Sequence, residues 1–261
     1  MKVTALLRVA RNVADLQRAE AFYGALGFCA VTPARGDALL ARLLRIERMR
    51  ILRMRLVAQE IELSECSPPG AAYPADMAAS DPRFQHIAIV TDDIVRASER
   101  VMSLGVAPIS RDGPVHLPVA SGGVTAFKFR DPDGHPLELL QFPAGRPRGF
   151  DHSAISVREV ERSVEFYAKI GVCEVSRQVN TGPEQDALDG LADAHVDVLA
   201  LRPPQPTPHV ELLCYRQSHD NFTLCCALND IAADRLVFHT TDGGLRLRRD
   251  PDGHVVLLDG R

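Results

Sequence analysis

Arg130-Asp131-Pro132-Asp133-Gly134-His135 runs directly into Pro136-Leu137-Glu138-Leu139-Leu140, a tight turn feeding an apolar segment that holds one carboxylate. The six turn residues recur as Arg249-Asp250-Pro251-Asp252-Gly253-His254, again followed by an apolar run. Proline at the second turn position and glycine at the fourth suit a type I turn, so each copy predicts two antiparallel strands joined there. His135 and His254, just beyond the glycines, read as solvated hairpin residues. A hexapeptide recurring in one chain signals duplication, which has to be settled before individual elements are assigned.

A second repeat lies upstream of each turn. Leu16-Gln17-Arg18-Ala19-Glu20-Ala21-Phe22-Tyr23 through Gly27-Phe28 matches Val160-Glu161-Arg162-Ser163-Val164-Glu165-Phe166-Tyr167 through Gly171-Val172. Apolar positions at helical spacing and a closing glycine predict amphipathic helices with left-handed C-terminal caps. Asp93 through Gly105 follows the same plan, with Asp93 as N-cap. Four segments result: 1–66, 84–143, 149–216 and 234–261. The first and third share the Phe-Tyr helix, and the second and fourth share the turn. The chain therefore reads as two tandem units, 1–143 and 149–261. The fourth segment is abbreviated, with only Gly243-Gly244 between Asp242 and Leu245 where the second has a helix and a strand. Residues 67–82 and 143–148 read as linkers.

The chemistry-bearing residues fall at equivalent places in the two middle segments. His86 sits in Phe84-Gln85-His86-Ile87-Ala88-Ile89-Val90, and His152 in Phe150-Asp151-His152-Ser153-Ala154-Ile155, both β-branched stretches read as strands. Alternation puts His86 on one face with Ala88 and Val90, and His152 with Ala154 and Ser156. Each segment closes on an apolar strand with a single acid, Glu138 and Glu211. A lone carboxylate among hydrophobes is costly to bury unless something compensates it. One histidine on an apolar strand is ordinarily a satisfied core residue, but four matched positions in two repeats point to a metal site.

With the strand-borne His, the Phe-Tyr helix, the Arg-Asp-Pro-Asp-Gly turn and the strand-borne Glu in view, the chain resembles the vicinal oxygen chelate superfamily, which includes glyoxalase I, bleomycin-resistance proteins and extradiol dioxygenases. The resemblance covers nearly the whole chain. It implies an α+β fold of tandem βαβββ modules whose curled mixed sheets form clefts, with a metal held by first- and last-strand residues of two modules. Carried over, the last-strand acids are Glu62, Glu138 and Glu211, and the first-strand histidines are His86 and His152. The outer modules depart from the pattern: Arg8 stands where module one should present histidine, Leu257 where module four should present glutamate, and Arg235 at module four's first-strand position. Pairing the second module with the third would give one complete cleft and one incomplete. Sequential pairing would divide the losses between two clefts. The distribution favours the former.

Two imidazoles with one or two carboxylates suit one divalent ion (Fe, Mn, Ni, Co or Zn). Open coordination positions would take two adjacent oxygens of a small-molecule substrate, and Glu138 or Glu211 could then move a proton between neighbouring carbons. This describes a metal-dependent lyase or isomerase of the glyoxalase I type. An Fe(II) extradiol dioxygenase needs only two histidines and one glutamate, but Phe129 stands where such enzymes carry tyrosine. A metal-free binding or drug-sequestering module is the third alternative. Substrate contacts are sought in the polar stretch Asn180-Thr181-Gly182-Pro183-Glu184-Gln185, with Asn180 and Glu184 as candidates, and in Lys128, which would either neutralise a substrate carboxylate or point at solvent. Arg48, Arg50, Arg53 and Arg55 suggest a solvated strand face or a cover for the incomplete cleft. His116, in a Pro-bounded loop, could reach a cleft.

The chain of 261 residues is 46% apolar and 25% charged with a formal net charge of −4, ordinary globular values. Its arginines are scattered, so nucleic acid and anionic membrane surfaces are not expected as partners. Neither a signal-peptide run nor a long apolar span is legible, so a cytoplasmic location and a monomer or homodimer are expected. Six cysteines (Cys29, Cys66, Cys173, Cys214, Cys225, Cys226) lack CxxC spacing and read mostly as buried small hydrophobes. The adjacent Cys225-Cys226 pair also admits redox or soft-metal chemistry.

Overall fold

The computed structural model describes residues 2–205, 208–216 and 226–261. The first segment holds β1 (Val3–Asn12), α1 (Leu16–Ala25), β2 (Cys29–Ala30), β3 (Arg35–Gly36), α2 (Ala38–Leu44), β4 (Arg48–Leu56) and β5 (Gln59–Ser67). The second holds β6 (Gln85–Val90), α3 (Ile94–Ser103), β7 (Ala107–Pro108), β8 (Val115–His116), β9 (Thr125–Arg130) and β10 (Pro136–Gln141). The third contributes β11 (Gly149–Ser156), α4 (Val160–Ile170), β12 (Cys173–Thr181), α5 (Pro183–Asp189), β13 (His195–Arg202) and β14 (His209–Tyr215). The fourth has β15 (Arg235–Thr240), β16 (Leu245–Arg249) and β17 (Val255–Asp259), with no helix among its described residues.

Local chemistry places the helices as the repeats predict. The Asp15 and Asp93 carboxylates accept from the backbone N–H groups of Arg18 and Arg96, at 2.9 and 3.0 Å, capping α1 and α3. Gly27 and Gly171 follow α1 and α4 at φ of 98° and 94°, a region that penalises a Cβ.

Two mixed sheets result. One runs β12-β13-β14-β11-β6-β10-β9-β7, with β8 added on β9; it is built from the second and third segments. The other runs β16-β17-β15-β1-β5-β4-β2, with β3 added on β4, from the first and fourth. Neither sheet is confined to one tandem unit, because each joins a segment from each half of the chain. The turns link the segments within each half: the Tyr23 hydroxyl of α1 donates to Asp131 Oδ2 in the first Asp-Pro-Asp-Gly turn (2.9 Å), and that of Tyr167 in α4 to Asp250 Oδ2 in the second (3.4 Å). Sheets and turns therefore close the four segments into a ring.

Strand alternation separates a core from a cleft. Ile87 and Ile89 of β6, Phe127 and Phe129 of β9, Leu137 and Leu139 of β10, and Val210 and Leu212 of β14 enter one large apolar cluster with α1, α3, α4 and the other sheet. Their neighbours His86, Lys128, Glu138 and Glu211 consequently face away from it, into a cleft. Phe129 thus points into the core.

Several sequence expectations are corrected here. His135 and His254 are buried, not solvated. Each turn backbone is held by its own aspartate, and the imidazole Nε2 atoms reach backbone carbonyls of Ile231 (3.2 Å) and Ser156 (2.9 Å) from other segments. Cys66 is buried, but Cys29 and Cys173 are exposed; Cys225 lies outside the described residues. The arginines of β4 divide: Arg50 and Arg55 pair on the exposed surface with Glu65 and Glu60, while Arg53 lies 3.5 Å from buried Glu62. The first segment also carries α2, which the sequence reading did not place. Leu40, Ala41 and Leu44 of α2 pack with Ala10, Met49, Ile51, Val237 and Leu257, covering part of the outer sheet's cleft face with apolar side chains and leaving a polar cavity of about 560 Å³ beside Arg8, Arg53 and Asp259.

Candidate metal centre

Register brings the four predicted ligands together. Across the β11–β6 pair His152 lies opposite Ala88 and Ala154 opposite His86. In the flanking parallel pairs Glu138 lies beside Ala88 and Glu211 beside Ala154. Partners in register share a face, so two imidazoles and two carboxylates surround a pair of alanines, whose methyl groups leave room above the sheet. His86 Nε2 is 3.1 Å from Glu138 Oε2; His152 Nε2 is 3.7 Å from that same oxygen and 3.5 Å from Glu211 Oε2.

This donor set fits a divalent cation. His152 Nε2 is buried without a hydrogen-bond partner between two carboxylates, and one ligand atom each from His86, Glu138 and His152 falls within 4.8 Å of the others. Glu138, Glu211, Asp151 and Asp189 are negative, and the ion-paired cations beside them are Lys128 and Arg146. Once the His152 proton is displaced, these four carboxylates face two cations, a deficit of two that one divalent ion offsets.

The electrostatics prepare the ligands unequally. Burial pushes the Glu138 carboxyl up, but Lys128, His86 and His152 outweigh it and hold the group down to about 2. Burial, helped by the Lys128 charge, lowers His86 and keeps it neutral. For His152 burial acts downward as well, yet Glu211, Asp151 and Glu138 lift it to about 9. Glu211 is held below its ordinary value against burial by His152 and His209.

Two further residues belong to the site. His209, two positions before Glu211 and therefore on the same strand face, approaches Glu211 Oε1 at 3.4 Å, with its ring 5.3 Å from that of His152. Period-two alternation was signal enough to find it. Asp151 was not legible: adjacent to His152, it should face the other way, but a register shift between Phe150 and His152 turns it to the cleft, where Oδ2 lies 3.1 Å from His152 Nδ1. Asp151, His152 and His209 form a second metal-competent group sharing His152.

The expected substrate contacts separate. Lys128 does not point at solvent: it is buried, and its ammonium lies 2.6 Å from Asp189 Oδ1 of α5. Asn180 lines the cleft, whereas Glu184, in the first turn of α5, does not; its neighbour Gln185 does. The stretch after Asn180 is thus the start of a helix, and α2 occupies the corresponding place in the first segment. His116 is exposed and bonded to Thr125, and Leu117 beside it reaches the cleft instead.

The glyoxalase family model, described as the Glyoxalase/Bleomycin resistance protein/Dioxygenase superfamily, matches residues 5–139. A lactoylglutathione lyase of Oryza sativa subsp. japonica is 35% identical over 88 residues, 33% of this chain and 28% of that protein. A probable chloroplastic lactoylglutathione lyase of Arabidopsis thaliana is 32% identical over 95 residues, 36% of this chain and 25% of that protein. The match thus spans less than a third of either relative's length. Among solved structures, glyoxalase I from Zea mays superposes with a TM-score of 0.63 at 18% identity, covering 98% of this chain and 92% of that one. A putative dioxygenase from Bacillus subtilis gives 0.58 at 12% identity, covering 100% and 86%. Those structural likenesses establish the fold. No helix among the described residues is long and apolar enough to cross a membrane. By its family model, its repeats and its two curled sheets, the chain belongs to the Glyoxalase/Bleomycin resistance protein/Dioxygenase superfamily.

Proposed function

We propose that the protein is a metal-dependent lyase or isomerase of the glyoxalase I type, acting on a small molecule that presents two adjacent oxygens. The observation that carries this reading is the convergence of His86, Glu138, His152 and Glu211 around Ala88 and Ala154 on one cleft face. These four residues would hold a divalent ion, which when bound supplies Lewis-acid polarisation of a carbonyl. The names of the plant relatives support a lyase.

The two glutamates are not equivalent. The Glu138 side chain is 7% exposed, bonded to His86 and under the field of Lys128. Glu211 is 22% exposed, and its remaining contact is the long one to His209. Glu138 is therefore the fixed ligand. Glu211 is the base, free to take a proton from one substrate carbon and return it to the neighbour while His209 steadies its outer oxygen.

Elemental analysis of purified and dialysed protein tests the reading. Glu138→Gln should lose the metal. Glu211→Gln should keep most of it while turnover falls about 10²- to 10⁴-fold. Protein that retains no divalent metal, together with a His86→Ala variant that changes nothing, would contradict the proposal.

A further inference from the structure

The walls around the four ligands narrow what the cleft can receive; this inference rests on the metal-dependent proton transfer just proposed. α5 closes one side and is fastened to the second segment: Arg111 N–H donates to Ala187 O (2.8 Å), Ser110 Oγ to Leu188 O (2.9 Å) and the Arg111 guanidinium to Leu191 O (2.7 Å). The cleft it bounds has a volume of about 270 Å³ and opens to solvent. Its inner cations are engaged, Lys128 by Asp189 and Arg146 by Asp151. Among the described lining residues Arg202, at the exposed rim, is the one cation outside an ion pair. Among the described lining residues, no unpaired inner cation is present to meet the paired carboxylates of a tripeptide–thiol adduct.

What the cleft offers instead is neutral hydrogen bonding. Asp189 accepts from Lys128, from Tyr215 (2.8 Å) and from Gln185 Nε2 (2.6 Å). Because a carboxylate only accepts, the Gln185 amide must turn its NH₂ toward Asp189. Its Oε1 is then left buried without a partner in a residue that lines the cleft. On β12, Gln178 Nε2 donates to Asn180 Oδ1 (3.2 Å), leaving the Asn180 NH₂ and the Gln178 carbonyl for a ligand. We propose that the substrate is a compact, uncharged hydroxyaldehyde or hydroxyketone of triose or tetrose size, and that Gln185 Oε1 selects it by accepting a hydrogen bond from a substrate hydroxyl. The reaction is an aldose–ketose interconversion. A proton leaves the hydroxyl-bearing carbon and returns to the adjacent carbonyl carbon, the hydroxyl proton passes to the former carbonyl oxygen, and no external oxidant or reductant enters.

The test uses the full chain loaded with Mn(II), its metal content checked by elemental analysis. Glyceraldehyde, dihydroxyacetone and erythrulose should each lower the water-proton relaxation enhancement of the bound ion, and in D₂O glyceraldehyde should interconvert with dihydroxyacetone, and erythrulose with its aldotetrose, with deuterium incorporation. A glutathione hemithioacetal should react at least about a hundredfold more slowly. Gln185→Met should keep the metal and lower kcat/KM for the trioses about 10- to 100-fold, the loss expected when a buried acceptor contact is removed. Metal-loaded protein that turns over the hemithioacetal and ignores the hydroxycarbonyls would overturn the substrate inference alone, as would unchanged triose kinetics in Gln185→Met. Failure to retain metal at all would instead remove the reading on which it rests.

Discussion

At the scale of single residues, the two sheets show how one pattern becomes two different sites. In the outer sheet Arg8 lies beside Val237, Ala10 beside Glu62 and Arg235, and Val237 beside Leu257, the same lattice that holds the four ligands of the inner sheet. Arg8 takes the place of His152, and its guanidinium reaches Glu62 (2.9 Å) and Asp259 (3.2 Å). The outer sheet thus carries its own cation, covalently fixed. Arg8→Ala should destabilise the protein by about 2–4 kcal/mol in denaturant titration, because buried Glu62 would keep only the longer contact to Arg53 at 3.5 Å. Arg8→Ala combined with Glu62→Gln should recover part of that loss.

In the inner sheet the divalent ion proposed above would have to compete with a proton. In the metal-free protein the His152 pKa of about 9 means that the ring is protonated at neutral pH, so a metal must displace that proton. Apparent affinity should rise up to about tenfold per pH unit between pH 7 and 9 and then level off, as read by competition with a chelator. Affinity that does not change over that range would show that the proton is not held there.

At the scale of elements, the Asp-Pro-Asp-Gly turns were legible as turns, and the helices as helices, because proline, glycine and helical periodicity act locally. The role of the turns as docking points was not. Tyr23 bridges Asp131 and Arg11, so Tyr23→Phe should cost about 1–3 kcal/mol; Tyr167→Phe, which loses a single longer bond, should cost less. His135 beneath the first turn is pulled down from 6.5 to about 3, with burial the leading cause. The folded state keeps it neutral while the unfolded chain binds a proton below 6.5. Its contribution is therefore complete above pH 6.5 and is lost as pH falls toward 3, at about 1.4 kcal/mol per unit at most. His135→Gln should flatten that acid limb in urea titrations at pH 4, 5 and 7.

At the scale of the whole molecule, each sheet needs a segment from both halves of the chain, and both sheets share one apolar core. Fragments 1–143 and 149–261 expressed separately should each lack cooperative unfolding, and mixing them should restore a single transition and metal binding. Two independently folded fragments would refute that interdependence.

The sequence by itself determined the repeated helices and turns, the strands that carry the site and the identity of the four converging residues, because turn chemistry and two- or 3.6-residue periodicity are properties of neighbouring positions. The placement of the departures in the outer modules already favoured joining the second segment to the third, as the sheet order has it; only the tertiary structure decided that α2 packs on one cleft face while α5 walls the other, that Lys128 is spent on Asp189, and that a bulge turns Asp151 inward. These depend on contacts between residues far apart in the chain, and nothing in the local pattern of either partner encodes the other.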